Sequence, residues 1–142
     1  MSLSKILYAT KVTVTGGRDG EAVSEDGNLK LKLGKPKEMG GSGGAVTNPE
    51  QLFAAGYAAC FLSAMKLVAD KKKIAISSTP SITAEVGIGP AGQGFGLAAT
   101  LHVNLPGMDK AAARELMELA HQVCPYSNAT RNNIEVKLDV RT

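Results

Sequence analysis

Residues 52–69 read LFAAGYAACFLSAMKLVA, apolar on nearly every face of a helix. A surface helix carries one apolar stripe, whereas one that is apolar all round must be covered on all sides. A helix start precedes the run: Asn48 is placed to cap, Pro49 takes the first helical position and Gln51 stands where a capping-box partner belongs. The chain has 142 residues. The handful of short strands it offers cannot wrap such a helix alone, so a second copy is expected to supply the missing cover in a homodimer. The uncharged stretch from Leu52 to Met65 ends at Lys66, short of the roughly 20 residues a bilayer span needs. A buried core helix and no membrane association are therefore expected.

Around this helix the pattern alternates with the period of strands. Ile6, Tyr8, Thr10, Val12 and Val14 mark a half-buried strand over 6–14. Strands over 21–25 and 29–33 flank Asp26-Gly27-Asn28, a hairpin turn. Residues 34–47 form a Gly-rich loop. Beyond Lys73, strands are expected over 81–88 and 95–105, a helix over 110–123 capped by Asp109, and a last strand over 134–140. Gly87-Ile-Gly89-Pro-Ala-Gly92 spells a dinucleotide-binding fingerprint, but no helix opens after it, so that reading is rejected. The expectation is one α+β domain over 1–142, with about six strands in an antiparallel sheet and segregated helices.

Composition narrows the function classes. Aromatics make up 4% of the chain and Trp is absent, so the core is built from aliphatic residues, Ala and Met. The net charge of +3 is dispersed. The one basic run, Lys71-Lys72-Lys73, falls at a helix end where it complements the helix dipole, and nucleic-acid binding is not expected. The N-terminus lacks the apolar core and cleavage site of a secretory signal, and a cytoplasmic location is expected. There a permanent structural disulfide is disfavoured. The two cysteines, Cys60 and Cys124, form neither a CxxC pair nor a zinc-ligand cluster, so no metal is expected.

Cys60 shares its helix face with Phe53, Gly56, Tyr57 and Ala64. Burial there raises a thiol's pKa and makes it inert unless a cation comes close. Arg18, in the turn Gly16-Gly17-Arg18-Asp19-Gly20, is a permanently charged five-donor group able to hold a thiolate and a second acceptor together. Glu50, in the first helical turn, could orient Arg18 through a bidentate pair. From residue type alone, two inert buried thiols, a solvated turn arginine and a plain helix-start acid are open alternatives. Cys124 stands at a helix end before Pro125, where a partly exposed thiol is expected. A Cys–His hydrolase would need His102 or His121 beside Cys60.

The runs TNPEQLFAAGYAACF around Cys60 and HQVCPYSNATR around Cys124 closely resemble the organic hydroperoxide resistance proteins of the OsmC-like superfamily. GGRDG at 16–20, GQGFGL at 92–97 and NLPGM at 104–108 match as well, so the resemblance covers essentially the whole chain in order. It implies an intertwined homodimer whose strands wrap central helices, with active sites at the subunit interface. It also implies Cys60 as peroxidatic cysteine, Cys124 as resolving cysteine, Arg18 as catalytic arginine and Glu50 as its acid partner. The implied reaction reduces organic hydroperoxides through a Cys60 sulfenic acid and a Cys60–Cys124 disulfide. No bound cofactor is implied, and a dihydrolipoyl dithiol on a lipoylated carrier protein serves as reductant. Asn132-Asn133 departs from an expected Gly, which Asn replaces acceptably because it tolerates left-handed backbone; the loop over 35–44 also differs. Two other readings stay open: a lipid- or metabolite-binding protein that has kept the fold without the reaction, and the sister OsmC branch with a preference for hydrogen peroxide.

Overall fold

The computed structural model describes residues 1–142, which divide into two compact units, Met1–Pro49 and Glu50–Thr142. The α+β class and the six strands are as expected, but the strands form two three-stranded sheets rather than one.

The first unit holds the antiparallel sheet β1 (Val12–Thr15), β2 (Glu21–Ser24) and β3 (Lys30–Lys32), in that order. Asp26-Gly27-Asn28 turns the chain from β2 to β3 as predicted, with Gly27 at φ 75°. Gly20 closes the turn after β1. A side chain there would stand 1.7 Å from the Thr15 carbonyl oxygen, so only glycine fits. Ile6–Lys11, expected as a half-buried strand, is not one: all its residues are exposed, with Leu7 at 88%. A strand needs a neighbour for its backbone groups, and the chain puts no other strand beside these residues. The Gly-rich loop contains one short 3-10 turn, Lys37–Met39.

The second unit opens with α1 (Pro49–Lys72), 24 residues long. It ends in a left-handed cap at Lys73 (φ 54°), with the Ile74 N–H reaching back to the Ala69 carbonyl at 2.8 Å. Counting past Lys66, α1 is long and apolar enough to cross a membrane by length and composition, contrary to the estimate from its uncharged stretch. Here it serves as a core helix on one side: Tyr57, Phe61, Ala64, Met65, Val68 and Ala69 are buried. Its other sides are not enclosed within this chain, and Leu67 remains 49% exposed.

Strands β4 (Ser81–Ala91) and β5 (Gly94–Asn104) form a long hairpin, joined through Gly92 at φ 55°. β4 runs three residues further than expected, through Pro90. It can do so because β4 is an edge strand, where a missing N–H costs no ladder bond. The amphipathic α2 (Lys110–Val123) starts where predicted, with the Asp109 carboxylate accepting the Ala112 N–H at 3.1 Å. A short α3 (Pro125–Thr130), not foreseen, follows at once with Pro125 at its first position. β6 (Val136–Arg141) then pairs with β5 in parallel. This corrects the all-antiparallel expectation: a helical crossover returns the chain to the end from which β5 set out. Leu101, Val103, Leu105, Leu116 and Ala120 of this unit pack with the buried face of α1 in one core. Asn132 takes the left-handed φ of 63° anticipated for it.

Candidate active site

The two cysteines meet inside the second unit. Cys60 rides on α1 and Cys124 sits at the junction of α2 and α3, with the sulfurs 3.7 Å apart. Both are free thiols. A disulfide needs the sulfurs at about 2.05 Å, so bond formation requires a local approach of under 2 Å and no rearrangement of the fold. The exposures reverse the expectation. Cys124 is fully buried within the core, and Cys60 is the partly accessible thiol. The cause is α3, which turns back at Pro125 and folds Cys124 inward instead of leaving it at a frayed helix end.

Cys60 is poorly disposed to ionise in this setting. Burial is the main cause and raises its pKa; the neighbouring Cys124 raises it further, while the Tyr126 backbone N–H opposes both by favouring the thiolate. A cation is still required for the sulfur to act as a nucleophile at neutral pH.

The apolar surround of Cys60 is aromatic as well as aliphatic. The Tyr126 ring lies 6.1 Å from Phe53 and 5.7 Å from Tyr57, and Phe53 meets Tyr57 edge-to-face at 5.9 Å. Gly56 makes room for this: a Cβ there would stand 2.7 Å from the Tyr126 hydroxyl.

Three residues from each cysteine along the chain, at Tyr57 and Ser127, begins a polar cluster that sequence reasoning did not find. The Tyr57 hydroxyl is 2.9 Å from Ser127 Oγ and 3.1 Å from Thr130 Oγ1, and His121 Nδ1 is 2.8 Å from Ser127 Oγ. Arg131 binds the Asn128 side chain at 2.6 Å and the His121 carbonyl. His121 is held below its usual pKa, first by burial and then by the Arg131 charge. The available signal was Pro125: proline at a first helical position would have announced α3 and so brought Ser127 and Thr130 toward Tyr57.

Neither histidine forms a dyad with a cysteine. His121 Nδ1 is engaged by Ser127, and His102 lies on β5 between Asp139, at 3.3 Å, and Glu85, at 3.4 Å. No group of three or more His, Cys, Asp or Glu side chains has metal-binding geometry. Arg18 lies half-buried in the turn between β1 and β2 of the first unit, and Glu50 lies half-buried in the first turn of α1. Both side chains are engaged in interactions.

The family described as OsmC-like protein matches residues 41–139. An organic hydroperoxide resistance protein of Xanthomonas axonopodis pv. citri is 56% identical over 137 residues, covering 96% of each chain. The organic hydroperoxide resistance protein OhrB of Bacillus subtilis is 44% identical, covering 95% of this chain and 98% of its own. Among solved structures, an organic hydroperoxide resistance protein OsmC from Legionella pneumophila superposes with a TM-score of 0.92 at 48% identity. It covers 97% of this chain and all of its own.

Proposed function

Because the chain belongs to the OsmC-like family, as one of its organic hydroperoxide resistance proteins, we propose that it is a cysteine peroxidase turning over through the Cys60–Cys124 pair. Hydroperoxide detoxification, an oxidoreductase stress response, is the function class of its relatives. The observation that carries the finer reading is the 3.7 Å separation of one partly accessible and one buried sulfur.

The proposed cycle balances in three steps. The Cys60 thiolate attacks one peroxide oxygen, the O–O bond breaks, and the departing alkoxide takes a proton to leave as alcohol. Cys60 becomes a sulfenic acid. The Cys124 thiol then displaces its hydroxyl, forming the disulfide and releasing water. A dithiol reduces the disulfide and becomes a disulfide itself; a dihydrolipoyl group on a lipoylated carrier protein is the proposed donor. No step calls for a bound cofactor. The apolar and aromatic surround of Cys60 suits an alkyl or aryl hydroperoxide better than hydrogen peroxide.

Ionisation of Cys60 is assigned to Arg18, oriented by Glu50. At about 4 Å and an effective dielectric of about 20, one guanidinium stabilises a thiolate by about 4 kcal/mol, which lowers a thiol pKa by about three. Such a charge acts against burial, which pushes the thiol the other way. The proposed working form is a homodimer. Exposed Ile6, Leu7, Tyr8, Val12 and Val14 in the first unit and Leu67 on α1 are the apolar surface a second copy would cover.

Steady-state peroxide reduction with dihydrolipoamide, compared with a monothiol, tests the scheme. Cys60→Ser is expected to abolish turnover. Cys124→Ser is expected to be oxidised once and then stall without a disulfide. Full activity in Cys60→Ser would end the proposal.

A further inference from the structure

The hydroxyl cluster of Tyr57, Ser127 and Thr130 has one hydrogen-bond direction that satisfies all of its contacts at once. Thr130 Oγ1 donates its one hydrogen to the Ser127 carbonyl at 3.2 Å. With that hydrogen so placed, it accepts from Tyr57, whose own hydrogen is then spent. Tyr57 in turn accepts from Ser127, and Ser127 Oγ accepts from His121 Nδ1. The chain runs His121 Nδ1–H to Ser127 to Tyr57 to Thr130 to the Ser127 carbonyl, with each hydroxyl giving one hydrogen and taking one. His121 supplies the first donor, so its neutral form carries the proton on Nδ1 and its charged form donates in the same sense. Tyr57 and Ser127 are fully buried and Thr130 is 5% exposed. No buried side-chain polar atom in the protein lacks a partner.

This chain ties together the same two elements that the redox step must join. Tyr57 stands one helical turn before Cys60 on the same face of α1, and Ser127 stands three residues beyond Cys124 in α3. The Ser127 carbonyl also accepts the Arg131 N–H at 2.9 Å, and the Cys124 carbonyl accepts the Asn128 N–H at 2.9 Å. Displacement of the α3 turn therefore has to break bonds in a buried array, where an orphaned hydroxyl is costly. Attack of one sulfur on another requires near-contact and alignment, and small misplacements slow such steps steeply.

We propose that Tyr57, Ser127 and His121 are positioning residues for the resolving step: their directed hydrogen-bond chain holds the Cys124 turn against α1 so that Cys124 captures the Cys60 sulfenic acid before a second hydroperoxide does. This rests on the reading of Cys60 and Cys124 as the redox pair. The competing event is oxidation of the waiting sulfenic acid by another hydroperoxide, which transfers one oxygen, yields sulfinic acid and releases an alcohol.

The test uses full-length reduced protein with Tyr57→Phe, Ser127→Ala, His121→Leu or His121→Asn. One equivalent of cumene hydroperoxide starts the reaction, and first oxidation and disulfide formation are timed separately, by sulfenic acid trapping and by the loss of two hydrogens in the intact mass. Loss of one link is expected to slow condensation, relative to first oxidation, by about fivefold, and to raise sulfinic acid yield at excess peroxide. His121→Asn keeps a donor at the head of the chain and is expected to stay near wild type, whereas His121→Leu follows Ser127→Ala. A merely structural role would lower the melting temperature and leave the ratio of the two rates alone. If Ser127→Ala does not fold, Tyr57→Phe, which removes one oxygen atom, carries the test. An unchanged ratio in folded Tyr57→Phe overturns the inference. A wild-type protein that forms no disulfide overturns instead the redox-pair reading beneath it.

Discussion

The two units of this chain meet the same demand, burial of apolar surface, with opposite success. Glu50–Thr142 builds a continuous core from α1, the β4–β5–β6 sheet and α2, in which Phe61, Met65, Leu101 and Leu116 are fully enclosed. Met1–Pro49 encloses only Ala22 and Leu33 among its apolar side chains, while Ile6, Leu7 and Tyr8 stand more than two-thirds exposed. One unit encloses a core of its own; the other carries the apolar pattern of a structural element without a neighbour in the chain that would satisfy it. The proposed sulfur chemistry lies in the first kind of region and the proposed charge for it, Arg18, in the second.

That contrast breaks most visibly at Arg18. If the charge comes from the N-terminal unit, Arg18→Ala is expected to cost about 100- to 1000-fold in hydroperoxide reduction, the scale of losing one preorganised electrostatic partner. It should also move the pH profile of Cys60 alkylation to more alkaline values, because burial alone raises that thiol's pKa. An unchanged alkylation profile would mean that the C-terminal unit ionises its own sulfur. The next effect is one of stability. Leu116→Ala in the C-terminal core is expected to cost about 3 kcal/mol in denaturant unfolding.

What could be read in the sequence divides along the same line. α2 was legible to its ends, because Asp109 caps it and Leu116 and Ala120 repeat at helical spacing. Strands β2 to β6 were legible as strands because period-2 alternation survives where one face is the more buried. The parallel β5–β6 pairing was not, since the pattern of β6 serves either direction and only the helical crossover decides. Residues 6–11 show that alternation alone does not establish burial within the chain. At the site, the Cys60 and Cys124 motifs were legible as a pair through the family resemblance. Their exposures are the inverse of the expected ones because Pro125 opens a new helix, α3, where a helix end alone is expected. The Tyr57–Ser127–Thr130 cluster has no one-dimensional signature: its members are joined by hydrogen bonds that span about half the chain.

A third experiment sharpens the contrast at the exposed strand-like segment. Ile6→Asp with Tyr8→Asp removes apolar character from positions that make no core contact within the chain, and such surface changes usually stay within about 0.5 kcal/mol. In a homodimer that buries this segment, the pair of substitutions is expected instead to shift sedimentation from dimer to monomer and lower the melting temperature. An unaltered sedimentation profile and melting point would leave the N-terminal apolar residues without a partner and turn the homodimer proposal against itself.

The smallest effect is expected from pH, and it belongs wholly to the C-terminal unit. Burial and the Arg131 charge hold His121 below its usual pKa, so between that lowered value and about 6.5 the unfolded chain binds a proton that the folded chain refuses. Stability therefore rises with pH across this window, is fully present above about pH 6.5, and is lost as pH falls toward the folded-state value. The magnitude is small because His121 is only partly shielded and Arg131 is screened by solvent and salt. Protonation also leaves the Nδ1 donor in place, so the hydrogen-bond chain to Tyr57 persists through the titration. The slope should thus appear in denaturant midpoints measured from pH 7.5 to 5, and His121→Asn should flatten it without altering the relative rate of disulfide formation. A slope that survives His121→Asn would assign the titration to another group, and the polar cluster would then be electrostatically neutral scaffolding.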